Sequence, residues 1–384
     1  MSNLFLMPRY VFTGQGALDK ASEDIKLLGK KALIVTDDVM IKLDSISNIT
    51  NLLDKLEVNY SIYHDVNGEP TDVMVNNGIK QYKDNNCDFL IALGGGSPID
   101  TMKAIGAMIT NSGEINDYLG KIIEKETPPL VAIPTTAGTG SEATQFTIIT
   151  DTEKNIKMLL KGPYLIPTIA VIDPIFTITS PKNVTSSTGL DALTHAIESY
   201  TSKLVQPMSE IFSLSAVKKI FDNLLEAYNN GKNVNARTEM SIAALQAGIA
   251  FNNSSVTIVH GMSRPIGALF HVPHGLSNAM LLTDCLDFIL SGAPDKFCTL
   301  ARTIGVYEKN MSDIQAGEKF IEAVRNLCTK LNVQTLQKFG VEKSIFMENL
   351  DKMAEDALQS GSPQNTRREV KKEDIIEIYK GLWK

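Results

Sequence analysis

The sequence predicts an α/β nucleotide-binding domain followed by an all-α domain. Over the first 180 residues, short apolar segments alternate with helical segments, which is typical of a parallel sheet covered by helices. After Pro181, amphipathic helices replace the strand-like segments. A length of 384 residues also suits two domains better than a single core.

Five segments are predicted to form the strands of the sheet. Each is short, rich in apolar residues and followed by polar residues or glycine, as expected for strands buried on both faces. They are residues 32–35, 60–63, 89–93, 130–133 and 169–172. We therefore predict a doubly wound, Rossmann-like first domain.

The domain boundary is placed where Ser180-Pro181 interrupts the pattern, which gives domains of residues 1–181 and 182–384. Beyond it, apolar residues between Ile211 and Leu225 recur at three- and four-residue steps, as on one face of a helix. The C-terminal residues 371–384 also form an amphipathic pattern. We expect this last helix to dock on the body of the protein.

Composition excludes several classes of function. The formal charge is −7, from 37 basic and 44 acidic residues, and no run of Lys or Arg offers a surface for nucleic acid. The N-terminus has no basic segment before a long apolar stretch, and no segment approaches the roughly 20 apolar residues that cross a bilayer. The four cysteines form no CxxC pair, which favours buried thiols in a reducing compartment. We therefore expect a cytoplasmic protein.

Two glycine-bearing segments follow neighbouring predicted strands. The first reads LGGGSPIDTMK (93–103), where consecutive glycines let the backbone turn and direct N–H groups and a helix N-terminus at a pyrophosphate. It does not match GxGxxG, and such a turn alone can be purely structural. The second reads PTTAGTGSEAT (134–144), whose small hydroxyl residues suit phosphate or ribose. Together, the two segments predict a nucleotide site at the carboxyl edge of the sheet.

Asp37 follows the first predicted strand. A carboxylate there can accept hydrogen bonds from an adenosine ribose and would repel the extra phosphate of NADP, which favours NAD. The alternative is that Asp37 only caps the next helix.

The second domain contains a candidate metal site. Asp191 and His195 are four residues apart in a helical segment, so their side chains share one face. His260 and His274 bound the segment HGMSRPIGALFHVPH, and four of the five histidines of the chain fall in these two segments. One carboxylate and three imidazoles suit a divalent first-row metal. The alternative is that these histidines are packed or surface residues.

These motifs resemble those of the iron-containing (group III) alcohol dehydrogenases, whose fold is similar to that of dehydroquinate synthase. The resemblance covers almost the whole chain, from MPRYVFTGQGAL to the C-terminal helices. Its most specific parts are GGGSPIDTMK, PTTAGTGSEAT, TGLDALTHAIESY and VHGMSRPIGALFHVPHG. The resemblance implies a dehydroquinate synthase-like fold.

The resemblance also implies roles for individual residues. The metal ligands would be Asp191, His195, His260 and His274, with iron(II) the usual metal and zinc or another divalent metal possible. The cofactor-binding residues would be Asp37, Gly95, Gly96, Ser97, Asp100, Lys103, Thr135, Thr136 and Thr139.

Arg264 departs from the family pattern, because many members have a histidine there that is thought to assist proton transfer or contact the nicotinamide. A guanidinium cannot exchange protons near neutral pH, so His271 or solvent would relay the proton. Arg264 could instead hold an acidic group of the substrate, as in the branch of the family that reduces sulfoacetaldehyde. The alternative is a salt bridge at the domain interface.

The sequence thus predicts an NAD-dependent, metal-dependent alcohol dehydrogenase or aldehyde reductase for a small substrate, with an anionic aldehyde bound by Arg264 as the hypothesis. The alternatives are a dehydrogenase of neutral alcohols or diols, such as butanol or propanediols, and a lyase that resembles dehydroquinate synthase. The resemblance also implies a homodimer.

Overall fold

A computed structural model describes residues 2–383 of the chain. These residues form two compact units. The first unit comprises residues 6–180, and the second comprises residues 181–383 together with residues 2–5.

The first unit contains all eight strands of the described chain, six of which form a parallel sheet in the order β1-β8-β5-β4-β2-β3. The other two, β6 and β7, pair as an antiparallel hairpin. The strands are β1 (Tyr10–Thr13), β2 (Lys31–Val35), β3 (Asn59–Tyr63), β4 (Phe89–Gly94), β5 (Leu130–Pro134), β6 (Phe146–Asp151), β7 (Ile156–Lys161) and β8 (Ile169–Ile172). The five predicted strands are thus confirmed, and β1 and the hairpin are additional.

Helices cover both faces of the sheet. They are α1 (Ala17–Lys20), α2 (Ser22–Lys26), α3 (Asp38–Lys42), α4 (Ser47–Lys55), α5 (Asp72–Asp84) and α6 (Gly96–Thr110). Leu33 and Leu90 pack in one core with α5 and α6, whereas their neighbours Ile34 and Ile91 pack in the other core with α1, α2 and α4. Because successive strand residues point to opposite faces, continuous apolar strands supply both cores.

The order of the strands creates a switch point between β2 and β4. The chain passes from β2 to β3 on one side and then crosses to β4 on the other side of β2. The loops that leave the carboxyl ends of β2 and β4 therefore diverge and leave a crevice. At this edge, the Thr36 hydroxyl donates a 2.7 Å hydrogen bond to the carbonyl oxygen of Leu93, which ties the two strand ends together.

The second unit is helical, as predicted. Its helices are α7 (Lys182–Thr201), α8 (Pro207–Asn229), α9 (Val234–Asn252), α10 (Ile258–Phe270), α11 (His274–Ile289), α12 (Pro294–Thr303), α13 (Asp313–Lys330), α14 (Leu336–Phe339), α15 (Lys343–Glu348), α16 (Leu350–Gln359) and α17 (Lys372–Gly381). The C-terminal helix α17 packs against α11 and α16, in agreement with the expected docking of the tail. Among residues 2–383, no helix has the length and apolar character needed to cross a membrane.

Residues 2–5 belong to the helical unit, although the sequence analysis grouped them with the first domain. The ring of Phe5 stacks on that of Phe212, with centroids 5.9 Å apart. The Gln206 side-chain amide donates a hydrogen bond to the carbonyl oxygen of Leu4. These contacts with α8 explain the difference in the boundary.

Candidate metal centre and cofactor loops

Helix α7 presents Asp191 and His195 on one buried face. Asp191 is 2% exposed and His195 is 5% exposed, which is unusual for polar residues unless they have partners or bind a ligand. The spacing of four residues places the two side chains one above the other on the helix, as predicted.

His260, near the start of α10, completes a buried group of three with Asp191 and His195. Their candidate ligand atoms all lie within 4.8 Å of one another. Nε2 of His260 lies 3.6 Å from Oδ1 of Asp191. The His195 ring stacks between Phe251 and His260, with centroids 4.3 Å from each, so packing fixes its orientation.

His274, the fourth predicted ligand, lies beside this group at the first position of α11. Its Nε2 is 3.7 Å from Oδ1 of Asp191, and its side chain remains 45% exposed. Gly275 allows this approach, because a Cβ atom there would lie 2.5 Å from the carbonyl oxygen of Ser187 in α7. The structure therefore brings three predicted ligands together and places the fourth at their edge.

Two further side chains contact the group and were missed by the sequence analysis. The Glu198 carboxylate, fully buried one turn beyond His195, lies 2.5 Å from Nδ1 of His260. The Asn278 amide donates a 2.7 Å hydrogen bond to Oδ1 of Asp191. The spacings 191, 195 and 198 on α7, and 274 and 278 on α11, would have placed both residues on the correct helix faces.

The electrostatics of the group follow from burial and close charges. Burial disfavours ionisation of Asp191, but His195 and His274 hold the pKa of its carboxyl well below its usual range. Burial lowers the pKa of His195 to about 3, so its imidazole is neutral at physiological pH. Burial also disfavours a charged His260, but the Glu198 and Asp191 carboxylates raise its pKa to about 9.

These residues fit a divalent metal ion. The group offers one ionised carboxylate and a neutral imidazole, the forms that coordinate metals. The imidazole of His195 makes no hydrogen bond to a described residue, and two buried side-chain atoms, Nδ1 of His195 and Oδ1 of Asn278, have no hydrogen-bond partner. Unsatisfied buried polar atoms are rare in proteins, and a ligand is a common explanation.

Arg264 lies one turn beyond His260 on α10 and is partly buried. Burial lowers the pKa of its guanidinium, and the Glu198 carboxylate opposes that shift. Within residues 2–383 its guanidinium forms no hydrogen bond or ion pair, so no salt bridge occupies it.

His271 follows α10 in a left-handed conformation, with φ of 55°. Its side chain is exposed and makes no hydrogen bond or ion pair with a described residue. The structure therefore does not bring it into contact with the buried group.

The first glycine-rich loop joins β4 to α6. Gly95 caps this 15-residue helix without any side-chain hydrogen bond, which leaves backbone N–H groups of the first turn available. A Cβ atom on Gly94 would lie 2.4 Å from Cγ of Pro98, so only glycine permits this turn. The N–H groups of Gly96 and Ser97 thus lie at the positive end of a helix dipole.

The second loop leaves β5, the neighbour of β4, and touches the first. The backbone N–H of Thr135 donates a 2.9 Å hydrogen bond to the carbonyl oxygen of Gly94. A Cβ atom on Gly96 would lie 3.0 Å from Cγ2 of Thr139, and one on Gly95 would contact Thr136. The predicted cofactor residues of the two loops are therefore adjacent at the carboxyl edge of the sheet.

Asp100 and Lys103 have protein partners. The ammonium of Lys103 is fully buried and lies within 3.1 Å of four oxygen atoms of Ser141, Thr144 and Phe146. The Asp100 carboxylate accepts hydrogen bonds from the Ser141 hydroxyl at 2.5 Å and from the Ile148 backbone at 2.9 Å. Since these contacts use the donors of Lys103, both residues support the second loop, and direct contact of Lys103 with the cofactor stays a prediction.

Asp37 lies at the carboxyl end of β2, on the other side of the switch point. Its Oδ1 accepts a 2.9 Å hydrogen bond from the backbone N–H of Met40 and so caps α3. Asp37 therefore caps α3, as the alternative interpretation of the sequence expected. The second carboxylate oxygen has no hydrogen bond to a described residue and remains available to a ribose.

Models of one protein family match nearly the whole chain. The family model for iron-containing alcohol dehydrogenases matches residues 8–174, and the model for the C-terminal region of the same family matches residues 185–383. The chain belongs to the iron-containing alcohol dehydrogenase family. As a member, it is an oxidoreductase that acts on CH–OH groups, which sets aside the lyase alternative.

Relatives within the iron-containing alcohol dehydrogenase family share the full length of the chain. It is 35% identical to 1,3-propanediol dehydrogenase of Klebsiella pneumoniae, over 98% of this chain and 97% of that protein. It is 34% identical to NAD-dependent methanol dehydrogenase of Bacillus methanolicus, over 99% of each.

Solved structures of the iron-containing alcohol dehydrogenase family share the fold. A crystal structure of 1,3-propanediol oxidoreductase superimposes with a TM-score of 0.96 at 34% identity, over 100% of each chain. Sulfoacetaldehyde reductase from Bifidobacterium kashiwanohense, in complex with NAD+, has a TM-score of 0.89 at 25% identity, over 100% of this chain and 99% of that one. The predicted dehydroquinate synthase-like fold is confirmed.

Proposed function

We propose that this protein is an NAD-dependent, metal-dependent alcohol dehydrogenase that interconverts a small alcohol and its aldehyde. The observation that carries the proposal is the buried group of Asp191, His195 and His260, whose ligand atoms lie within 4.8 Å of one another. The packing of a helical core does not require three polar side chains at one point, because apolar side chains would pack there without the free-energy cost of desolvation.

Asp191, His195, His260 and His274 would hold the metal, with iron(II) the expected ion. When bound, the cation supplies Lewis acidity that polarises the oxygen of the substrate. The protein holds two of these ligands rigidly, because Phe251 packs on His195 and the buried Glu198 fixes His260.

NAD(H) is proposed as the hydride carrier. The N–H groups of Gly96 and Ser97 would bind the pyrophosphate, and Thr136 and Thr139 would flank it from the second loop. Asp37, at the end of β2, would accept a ribose hydroxyl with its second carboxylate oxygen and repel the phosphate of NADP. The names of the methanol dehydrogenase and sulfoacetaldehyde reductase relatives support the same cofactor.

The substrate proposed is an anionic aldehyde of the sulfoacetaldehyde type. Arg264 supports this choice, because it is a partly buried guanidinium one turn from His260 without an ion pair in the described chain. A partly buried guanidinium without an ion-pair partner is suited to bind a sulfonate or carboxylate group in a two-point geometry. Because Arg264 holds its protons, the proton required for reduction would come from solvent or through the exposed His271.

A neutral diol or short-chain alcohol is the second candidate. It is favoured by the 35% identity with a 1,3-propanediol dehydrogenase over nearly the full length. The cytoplasmic location and the homodimer stay predictions from the sequence.

NADH absorbance with a panel of aldehydes tests the proposal. The purified protein is stripped of metal and assayed with sulfoacetaldehyde, 3-hydroxypropionaldehyde and butyraldehyde, with and without added iron(II). We expect NADH oxidation that depends on iron(II) and is fastest with the anionic aldehyde. Metal-independent turnover would refute the metal role, and a preference for 3-hydroxypropionaldehyde would select the second candidate.

A further inference from the structure

Glu198 occupies an unusual position for a charged residue. Its side chain is completely buried on α7, seven residues after Asp191 and three after His195, and therefore on the same helix face. A buried carboxylate is costly unless each oxygen accepts hydrogen bonds. The contacts of Glu198 meet that requirement in full.

One oxygen of Glu198 caps another helix. Oε1 accepts 2.7 Å hydrogen bonds from the Thr257 hydroxyl and from the backbone N–H of Val259. Thr257 is the N-cap residue of α10, and it makes no side-chain capping bond of its own. Glu198 thus replaces the missing cap and lies at the positive end of the α10 dipole.

The other oxygen orients a metal ligand. Oε2 lies 2.5 Å from Nδ1 of His260, and an ionised carboxylate can only accept, so Nδ1 must carry the proton. Nε2 of the same ring lies 3.6 Å from Oδ1 of Asp191. Because Glu198 keeps the proton on Nδ1, Nε2, which faces Asp191, is the nitrogen that gives up its proton and offers its lone pair when a metal binds.

We infer that Glu198 is a positioning residue that fixes the tautomer and the ring orientation of His260 for metal binding. This inference rests on the metal site proposed above. Carboxylates that hold the second nitrogen of a ligating histidine change metal affinity by about 10- to 100-fold when they are replaced. The capping role of Oε1 and the orienting role of Oε2 can be tested separately.

Glu198→Gln separates the two roles. The Thr257 and Val259 donors require an oxygen at the Oε1 position, so the new amide oxygen takes that place and the cap is kept. The amide NH2 then faces Nδ1 of His260 and forces the proton onto Nε2, the nitrogen that the metal needs. Thr257→Val is the matched control, because it removes one donor to Oε1 and leaves the contact between Oε2 and His260 intact.

The test is the dissociation constant for Zn²⁺, measured in the full-length protein by competition with a chromophoric chelator. We expect Glu198→Gln to raise it by about 10- to 100-fold and Thr257→Val by less than about threefold. Equal effects of the two variants, or a Glu198→Gln value within about threefold of wild type, would overturn the inference. If the wild type binds no metal ion at all, the proposed metal site itself fails.

If Glu198→Gln does not fold, NMR of the wild-type protein tests the inference instead. The chain has only five histidines, so ¹⁵N-histidine NMR of the Zn²⁺-loaded protein can resolve each ring. We expect the His260 signal, identified by its loss in His260→Gln, to show a protonated Nδ1 and a metal-bound Nε2. An unprotonated Nδ1 in that ring would overturn the inference.

Discussion

The side-chain amide of Asn278 lies 2.7 Å from Oδ1 of Asp191 and 3.2 Å from Nε2 of both His260 and His274. One amide nitrogen thus marks the point on which a carboxylate and two imidazoles from three helices converge. This amide therefore contacts three of the four predicted ligand residues.

Asp191→Asn tests the anionic ligand of this group. The substitution keeps the shape of the side chain and removes the only carboxylate among the predicted metal ligands, so a divalent ion loses most of its charge compensation. We expect bound metal to be lost and kcat/KM to fall by at least about 100-fold. Metal analysis after gel filtration and NADH absorbance measure the two effects.

His64→Ala is the control for the loss of metal binding. His64 is an exposed histidine in the α/β unit, paired with Asp38 at 2.9 Å and outside the predicted ligand set. Its replacement should leave the metal content unchanged. If Asp191→Asn retained metal as fully as His64→Ala, the ligand assignment would be wrong.

Arg264→Met tests recognition of an anionic substrate. A hydrogen bond to a charged group contributes about 1.5–3 kcal/mol, so kcat/KM for sulfoacetaldehyde should fall by about 10- to 100-fold. The value for a neutral aldehyde of similar size should change by less than about threefold. Arg325→Met, which removes an exposed arginine paired with Asp287, should change neither value. Equal losses for both substrates would argue against charge recognition.

Lys103→Met tests the support of the second cofactor loop. The variant leaves Asp100 without its neighbouring cation and removes the donor to Ser141 and Thr144 of the loop and to the first residue of β6, which should destabilise the protein by about 3 kcal/mol. We also expect KM for NADH to rise more than kcat falls, because the loop positions Thr136 and Thr139. Lys83→Met on the exposed face of α5 should change stability by less than about 0.5 kcal/mol. An unfolding free energy equal to that of wild type would refute the role of Lys103.

Glu142→Gln tests how the free energy of unfolding depends on pH. Burial raises the pKa of Glu142 to about 7 from its usual value of 4.5, so between these pH values the folded state holds the proton that the unfolded chain releases. Wild-type stability therefore falls, relative to the Gln variant, as pH rises from 4.5 to 7. We expect the variant to be nearly as stable as wild type at pH 4.5 and more stable by about 3 kcal/mol at pH 8.

Urea denaturation across this pH range measures the difference in unfolding free energy between Glu142→Gln and wild type. The exposed Glu124→Gln is the control, and its difference from wild type should stay near zero at every pH. A difference for Glu142→Gln that does not change with pH would contradict the raised pKa.

The sequence alone was enough to predict the strands that are buried on both faces and the residues that share one face of a helix. Strands such as β4 and β5 are apolar throughout because both faces of the sheet are covered, and the i,i+4 spacing of Asp191 and His195 is a property of any helix. By contrast, β1 is a partly exposed edge strand, and the β6 and β7 hairpin alternates in exposure, so neither has a continuous apolar pattern. Their pairing is set by tertiary contacts.

The hydrogen-bond partners of the site residues could not be predicted from the sequence either. Glu198 contacts His260 across 62 positions of the chain, and Lys103 reaches Thr144 across 41. Helix and strand periodicity place residues on a face but do not say which residue faces them from another element. For this reason the contacts of Lys103 with the second loop were not predicted, and Glu198 was overlooked although it shares the helix face of both predicted ligands.

The central claim is that Asp191, His195, His260 and His274 bind a divalent metal ion that the reaction requires. The most direct measurement is the rate of NADH oxidation after exhaustive chelation, followed by titration with iron(II) and metal analysis of the product. We predict that chelation abolishes the rate and that it returns fully at one metal ion per chain. An undiminished rate in the thoroughly chelated protein would contradict the account.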